Sequence, residues 1–324
     1  MRRDFCAYFD HRYFDRGVAM YQSLVAHCPG ARLFVLCLSD LCFDALSRLA
    51  LPNLVPVRLA EFEAGNEALA AAKANRSLIE YYFTCTASLM DWLLKTRPEI
   101  EVITYLDGDL YFFSDPEPIF SAFEGYSSLI VGHRFPPQLK RLEMYGIYNV
   151  GWVSFRRDED GLACLAWWRD RCLEWCYDRL EGDRFADQKY LDRFSELFKG
   201  VLVLNHPGAN LAPWNMGRHQ LAQQGGEIRV DGEKLIFFHF HNFKRLAGIV
   251  WRIHHRDNFI PRHRFLARLL YRPYIRALAR AHRLGLRAGL GDGVPTLSRA
   301  VPGRGWLRNA ARIIVYREFV LGWP

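Results

Sequence analysis

The sequence has no apolar run approaching the ~20 residues that cross a bilayer. Its start, Met1-Arg2-Arg3-Asp4, leads into Phe5-Cys6-Ala7-Tyr8 without the apolar core and cleavage site of a secretory leader. A cytoplasmic, non-spanning protein is expected. Its eight cysteines (6, 28, 37, 42, 85, 164, 172 and 176) contain no CxxC pair and sit mostly in apolar stretches, so they read as reduced core residues rather than a thiolate metal site. There is no internal repeat and no low-complexity segment. Lysine is missing from residues 252 to 324, where 15 arginines face three acids; that balance of +12 leaves the rest of the chain at −4. The overall +8 therefore describes neither part, and an anionic partner is expected for the tail alone.

What is present is core. Half of the 324 residues are apolar and 15% are aromatic, which excludes a disordered chain and fits one large α/β domain, residues 1–250, with a basic helical extension, residues 251–324. Residues 5 to 9 read as a first strand, followed by a helix reaching Leu24 and Val25. The run 32–38 is apolar almost throughout, as in a strand buried on both faces of a parallel sheet. A helix over 41–50, a strand over 54–57, a helix over 77–95 and a strand over 102–106 continue the alternation. This pattern predicts a Rossmann-like, mixed and mainly parallel sheet flanked by helices. Asp231-Gly232 predicts a hairpin whose second arm, 234–240, puts His239 and His241 on one face.

Asp107-Gly108-Asp109 taken alone also reads as a turn or helix cap, but it directly follows a buried strand, where open α/β sheets bind ligands. In extended chain both carboxylates project to one side, and Gly108 admits close approach. Two hard oxygen ligands suit Mg²⁺ or Mn²⁺; an imidazole from His239 or His241 shifts the preference toward Mn²⁺. Either histidine reads equally well as a core residue. Asp187-Gln188 offers a carboxylate beside an amide but also reads as a helix start. Tyr148-Asn149-Val150-Gly151 reads as a strand with an interior glycine, and Asn149 suits either a sugar hydroxyl or a turn. Of the tryptophans, Trp214 alone is assigned to substrate.

In this order the motifs resemble the metal-dependent glycosyltransferases of the GT-A fold, particularly the family-eight type that includes lipopolysaccharide galactosyl- and glucosyltransferases and glycogenin. The likeness runs over residues 4 to 245. It implies that Tyr8, Phe9 and Asp10 hold the nucleotide base and that Arg76 contacts the nucleotide. It implies Asp107, Asp109 and His239 as metal ligands, and Asn149, Asp187 and Gln188 as the reaction centre. The family's diphosphate-binding Lys-Pro-Trp stretch is replaced here by Asn242-Phe243-Lys244-Arg245, so Lys244 is assigned to the diphosphate. The implied function is retaining transfer of a hexose from a UDP-sugar to a glycan or lipid-linked saccharide, in surface polysaccharide or lipopolysaccharide synthesis.

In the tail, Arg264, Arg268, Arg272, Arg276 and Arg280 recur every four residues, with Leu266, Leu270, Tyr274 and Leu278 on the opposite face. Such a segment, kinked at Pro273, suits an anionic membrane surface at the inner face of the plasma membrane, or a helix packed on the body. A second amphipathic candidate holds Arg304, Trp306, Leu307, Arg308, Arg312, Ile313 and Ile314. The competing function is a non-catalytic, basic membrane- or nucleic-acid-binding protein on an α/β scaffold, although only charge favours nucleic acid. The metal triad separates the two readings, since a binding module has no use for it.

Overall fold

The computed structural model describes residues 2–247, 250–253, 264–291 and 319–321. The first 58 residues alternate strand and helix: β1 (Arg3–Phe9), α1 (Phe14–His27), β2 (Ala31–Cys37), α2 (Asp40–Leu49) and β3 (Leu54–Arg58). Side chains of β1 alternate between two cores. Phe5, Ala7 and Phe9 pack under α1, while Cys6 packs on the other face. β2 is buried almost end to end, which explains its lack of polar alternation.

Three helices follow, α3 (Leu59–Glu63), α4 (Glu67–Asn75) and α5 (Leu78–Thr96). The last opens on a capping box in which Ser77 and Glu80 satisfy each other's backbone N–H groups. Then come β4 (Val102–Leu106), β5 (Leu110–Phe112), α6 (Glu117–Phe123), β6 (Ser128–Gly132), β7 (Tyr148–Arg156), α7 (Glu159–Glu174), α8 (Phe194–Leu197) and β8 (Val201–Leu204). The main sheet has the order β3-β2-β1-β4-β7-β6-β8. β7 runs antiparallel to both neighbours and every other pair is parallel. This is the mixed, mainly parallel α/β sheet expected. All eight cysteines are free and buried.

The expected hairpin forms only in part. β9 (Leu221–Gln224), β10 (Glu227–Val230) and β11 (Glu233–Lys234) make a small meander, with Asp231 and Gly232 both at positive φ in its turn. The second arm stops at Lys234. The following β12 (Phe237–His239) leaves the meander and pairs antiparallel with β5, setting His239 opposite Leu110. A long second arm, as expected from alternation, is therefore replaced by two short strands in different sheets.

Near the expected boundary at residue 250, β13 (Lys244–Ala247) pairs with β14 (Val250–Arg252). The arginine-rich segment packs on the body. It runs as α9 (Arg264–Leu266), a π-helical turn over Ala267–Tyr271, and α10 (Arg272–Arg287), so Pro273 opens α10 rather than kinking it. α10 lies along α1, and Leu266, Leu270, Tyr274 and Leu278 are buried. Tyr274 stacks on Phe240 with ring centroids 3.8 Å apart. Each such side chain contributes about 1.5–3 kcal/mol when buried, so this stripe is committed to the protein interior and is not offered to lipid. Arg268, Arg272, Arg276 and Arg280 remain exposed. The second amphipathic candidate, residues 304–314, lies outside the described residues. Among the described residues, no helix is long and apolar enough to cross a membrane.

Candidate functional site

A cleft of about 860 Å³ opens along one edge of the main sheet. The ends of β1, β4 and β6 and the start of β7 meet there, and the order of strands reverses between β1 and β4. That reversal leaves a crevice beyond the strand ends, the place where such sheets bind ligands. Tyr8, Phe9 and Asp10 line the β1 side; Asp107, Asp109 and His239 form the floor; Asn149, Asp187 and Gln188 face them from the β7 side.

The floor is held by residues distant in sequence. The Tyr13 hydroxyl donates to Asp109 Oδ2 at 2.8 Å and the Tyr105 hydroxyl to Asp107 Oδ1 at 3.0 Å. A side chain at Gly108 would bring its Cβ within 3.3 Å of the Tyr13 ring, so this glycine makes room for a neighbouring side chain as well as for ligand. The β5–β12 ladder carries His239 in, and Phe240 N–H donates to the Asp109 carbonyl at 2.9 Å. His239 Nε2 then lies 3.0 Å from Asp109 Oδ1 and 3.6 Å from Asp107 Oδ2. Burial alone would raise the Asp109 carboxyl; the His239 imidazole and the Tyr13 hydroxyl overcome it and hold Asp109 well below the usual range. Burial would likewise lower His239, but Asp109 raises it. For Asp107 burial prevails and the carboxyl is pushed up, against the pull of His239.

Ligand atoms of Asp109, His239 and His241 lie within 4.8 Å of one another. A carboxylate and two imidazoles, with a second carboxylate alongside, suit a divalent transition-metal cation such as Mn²⁺ over Mg²⁺. Trp214 meets both imidazoles edge-on, at centroid distances of 5.0 and 5.6 Å. Its indole N–H donates to the His133 carbonyl, which fixes the 210–215 loop against the site.

Across the cleft, Asp187 is buried, with no cationic partner among the described residues. Burial pushes its carboxyl up to about 7, opposed by the Thr86 hydroxyl, which donates to Oδ2 at 2.7 Å. The Trp168 indole N–H donates to the Asp187 carbonyl at 2.8 Å and pins the backbone. Gln188 Nε2 donates to the Tyr145 carbonyl at 3.1 Å.

Two of the expected nucleotide contacts stand apart. Arg76 turns away from the cleft, and its guanidinium donates to the carbonyls of Cys172 and Leu173 at 2.8 and 2.6 Å, where it satisfies the end of α7. Lys244 is exposed on β13 and does not line the cleft. Arg12 is the sole arginine or lysine among the described lining residues. Sequence reasoning gave no role to Tyr13, in the turn before α1, or to Thr86, Tyr105 and Trp168, on α5, β4 and α7. It also missed His133, although this residue follows the apolar β6 just as Asp107 follows β4. Burial pushes the His133 imidazole down to about 3, so it is neutral.

No family model matches the chain. It is 35% identical over 254 residues to the uncharacterized protein YfnF of Bacillus subtilis strain 168, covering 75% of this chain and 82% of that protein. It is 30% identical over 268 residues to YfnD of the same strain, covering 81% and 84%. Among solved structures it is similar to the galactosyltransferase LgtC, determined with donor and acceptor sugar analogs. That likeness has 14% identity and a TM-score of 0.52 and covers 88% of this chain and 96% of LgtC. LgtC is a family-eight GT-A enzyme, and at this identity the likeness is one of fold. The chain thus belongs to the family of YfnF and YfnD and is built on the GT-A glycosyltransferase fold.

Proposed function

We propose that this protein is a metal-dependent glycosyltransferase that moves a hexose from a UDP-sugar to a hydroxyl of a saccharide or lipid-linked saccharide, with retention at the anomeric carbon, in surface polysaccharide synthesis. The observation that carries the proposal is the Asp107, Asp109 and His239 cluster, with His241 in reach, at the strand reversal and across the cleft from buried Asp187 and Gln188. Asp107, Asp109 and His239 would hold Mn²⁺ or Mg²⁺. When bound, the ion supplies positive charge for a diphosphate leaving group. That supply matters because Arg12 is the lone fixed cation among the described lining residues.

The residues of the chain do the rest. Tyr8, Phe9 and Asp10 form the β1 end, where the base would rest. Asp187, half protonated near pH 7, can donate or accept toward a donor hydroxyl. Gln188 lies beside it, too weak a nucleophile for an easy covalent intermediate, in keeping with same-face attack. LgtC has been solved as an active-site glutamine-to-glutamate mutant, and a glutamine is the residue this chain presents here. The competing reading, a basic binding module, leaves this cluster without a purpose.

Calorimetry with UDP and GDP, each with and without Mn²⁺, tests the donor site. The expected result is Mn²⁺-dependent UDP binding that is lost in Asp109→Ala. Nucleotide binding of equal strength without metal, or none at all, would overturn the proposal. NMR of the product anomer then tests retention.

A further inference from the structure

The arginine-rich segment reads from sequence either as a helix packed on the body or as one held at an anionic surface, and its two sides divide those tasks. At about 100° per residue, Arg272, Arg276, Arg280, Arg283 and Arg287 fall within an arc of about 80° along α10. All five are exposed, as is Arg268 one turn earlier. Tyr274, Leu278, Ala281 and Gly285 lie about half a turn away and are buried.

That inner side is tied to the body at several points. α10 lies along α1, His282 Nδ1 is 3.3 Å from Asp15 Oδ2, and the Arg48 guanidinium donates to the Ala288 carbonyl at 2.7 Å. The arginines are therefore carried by a fixed helix about 24 Å long. Several arginines elsewhere are neutralised by carboxylates: Arg32 meets Asp4 and Glu99, and Arg169 meets Asp91 and Asp170. Residues 264–291 contain no aspartate or glutamate. Among the described residues, none of the arginines on this face forms an ion pair with a carboxylate.

We propose that this face docks the protein on a lipid bilayer rich in anionic phosphate headgroups, by charge and without insertion of the helix. The planar fork of an arginine meets phosphate oxygens two at a time. A straight array of such forks fits a plane of phosphates. It fits single-stranded nucleic acid poorly, because bases need stacking platforms. α10 has no phenylalanine or tryptophan, and its one tyrosine, Tyr274, is buried. Leu286, 37% exposed beside Arg287 at the edge of the face, adds an apolar contact just below the headgroups. The chain before residue 252, at −4, is repelled by the same surface, so approach is oriented with α10 foremost. Transfer to a lipid-linked saccharide gives such docking a purpose, although the arginine face is separate from the cation cluster.

The test is sedimentation of the full chain with vesicles of phosphatidylcholine alone or with about one-third phosphatidylglycerol. Salt is raised from about 0.1 M to about 1 M, where the screening length falls from about 10 to about 3 Å. Binding is expected to favour the anionic vesicles by about tenfold or more and to be lost at high salt. Arg272→Gln, Arg276→Gln, Arg283→Gln and Arg287→Gln combined should cut it by about tenfold or more, each arginine at such a surface being worth about fivefold. Arg280 is left in place because it also bonds Tyr111. The same four positions changed together, Arg272→Lys, Arg276→Lys, Arg283→Lys and Arg287→Lys, keep the charge and should keep vesicle binding. An unchanged thermal midpoint shows that each variant is folded, and the lipid and salt arms on the intact chain decide if the glutamine variant is not. Equal binding to both vesicles, no binding, or a folded glutamine variant that binds as before would overturn the proposal. Tighter binding to duplex DNA than to anionic vesicles at equal phosphate would assign the face to nucleic acid and overturn it too. Vesicle binding by a chain that binds neither UDP nor GDP would uphold the docking and count against the transferase reading instead.

Discussion

Replacing Asp187 by asparagine should stabilise the protein at neutral and alkaline pH, at the expense of its chemistry. Asp187 is 5% exposed, and its carboxyl is raised from 3.8 to about 7 in the folded state, chiefly by burial. The folded chain therefore holds a proton that the unfolded chain has released, and stability must fall as pH rises between these two values. At about 1.4 kcal/mol per pH unit, the full loss is about 4 kcal/mol, present above pH 7 and absent below pH 4. The amide that Asp187→Asn introduces has no such proton to lose and can still accept from the Thr86 hydroxyl. Urea midpoints of both proteins measured from pH 4 to pH 8 should diverge steadily, with the variant ahead by up to about 4 kcal/mol at pH 8. Carboxylates that do not interact with Asp187 titrate equally in the two proteins and cancel in the difference; Asp107, whose charge also raises Asp187, does not. Parallel curves would show that Asp187 is ionised at little cost, and the argument from its unpartnered burial would fail.

Two further substitutions test the placement of single groups. Asn149 Oδ1 lies 3.3 Å from His239 Nδ1, and Gly151→Ala inserts a methyl group into this contact; it should cost about 1–3 kcal/mol in urea unfolding and weaken Mn²⁺ binding as read by electron paramagnetic resonance. Unchanged Mn²⁺ affinity would mean that the contact is not needed. Arg76→Met should destabilise the protein by about 1.5–3 kcal/mol, the worth of its charge-assisted bonds to the end of α7, and leave UDP affinity within about twofold. A tenfold loss of UDP affinity with little change in stability would return Arg76 to the nucleotide site.

The parts of the fold that were legible in the sequence are those in which one short-range signal decides the outcome. β1, β2 and β4 read as strands because continuous apolar runs of that length have few alternatives, and Asp107 reads as a site residue because it ends one of them. The course of residues 235–241 was not legible. Alternation there predicts a strand correctly, but strand pairing is a tertiary choice, and β5 rather than β10 provides the partner. Arg76 was misplaced for a related reason: a motif gives the residue, while the exposed end of α7 decides where its guanidinium goes. Thr86 and Trp168 carry no local signature, and their importance comes only from the buried carboxyl they meet.

The three-residue pairing of β5 with β12 has a consequence for how the protein comes into being. Asp109 and His239 meet only when β12 closes against β5, far earlier in the chain, and such long closures form late. A nascent chain that has already built β1 to β4 would have the β1 end of the crevice without the Asp109–His239 pair. On the proposed reading, in which nucleotide binding needs the cation, the site would come into being only with this closure.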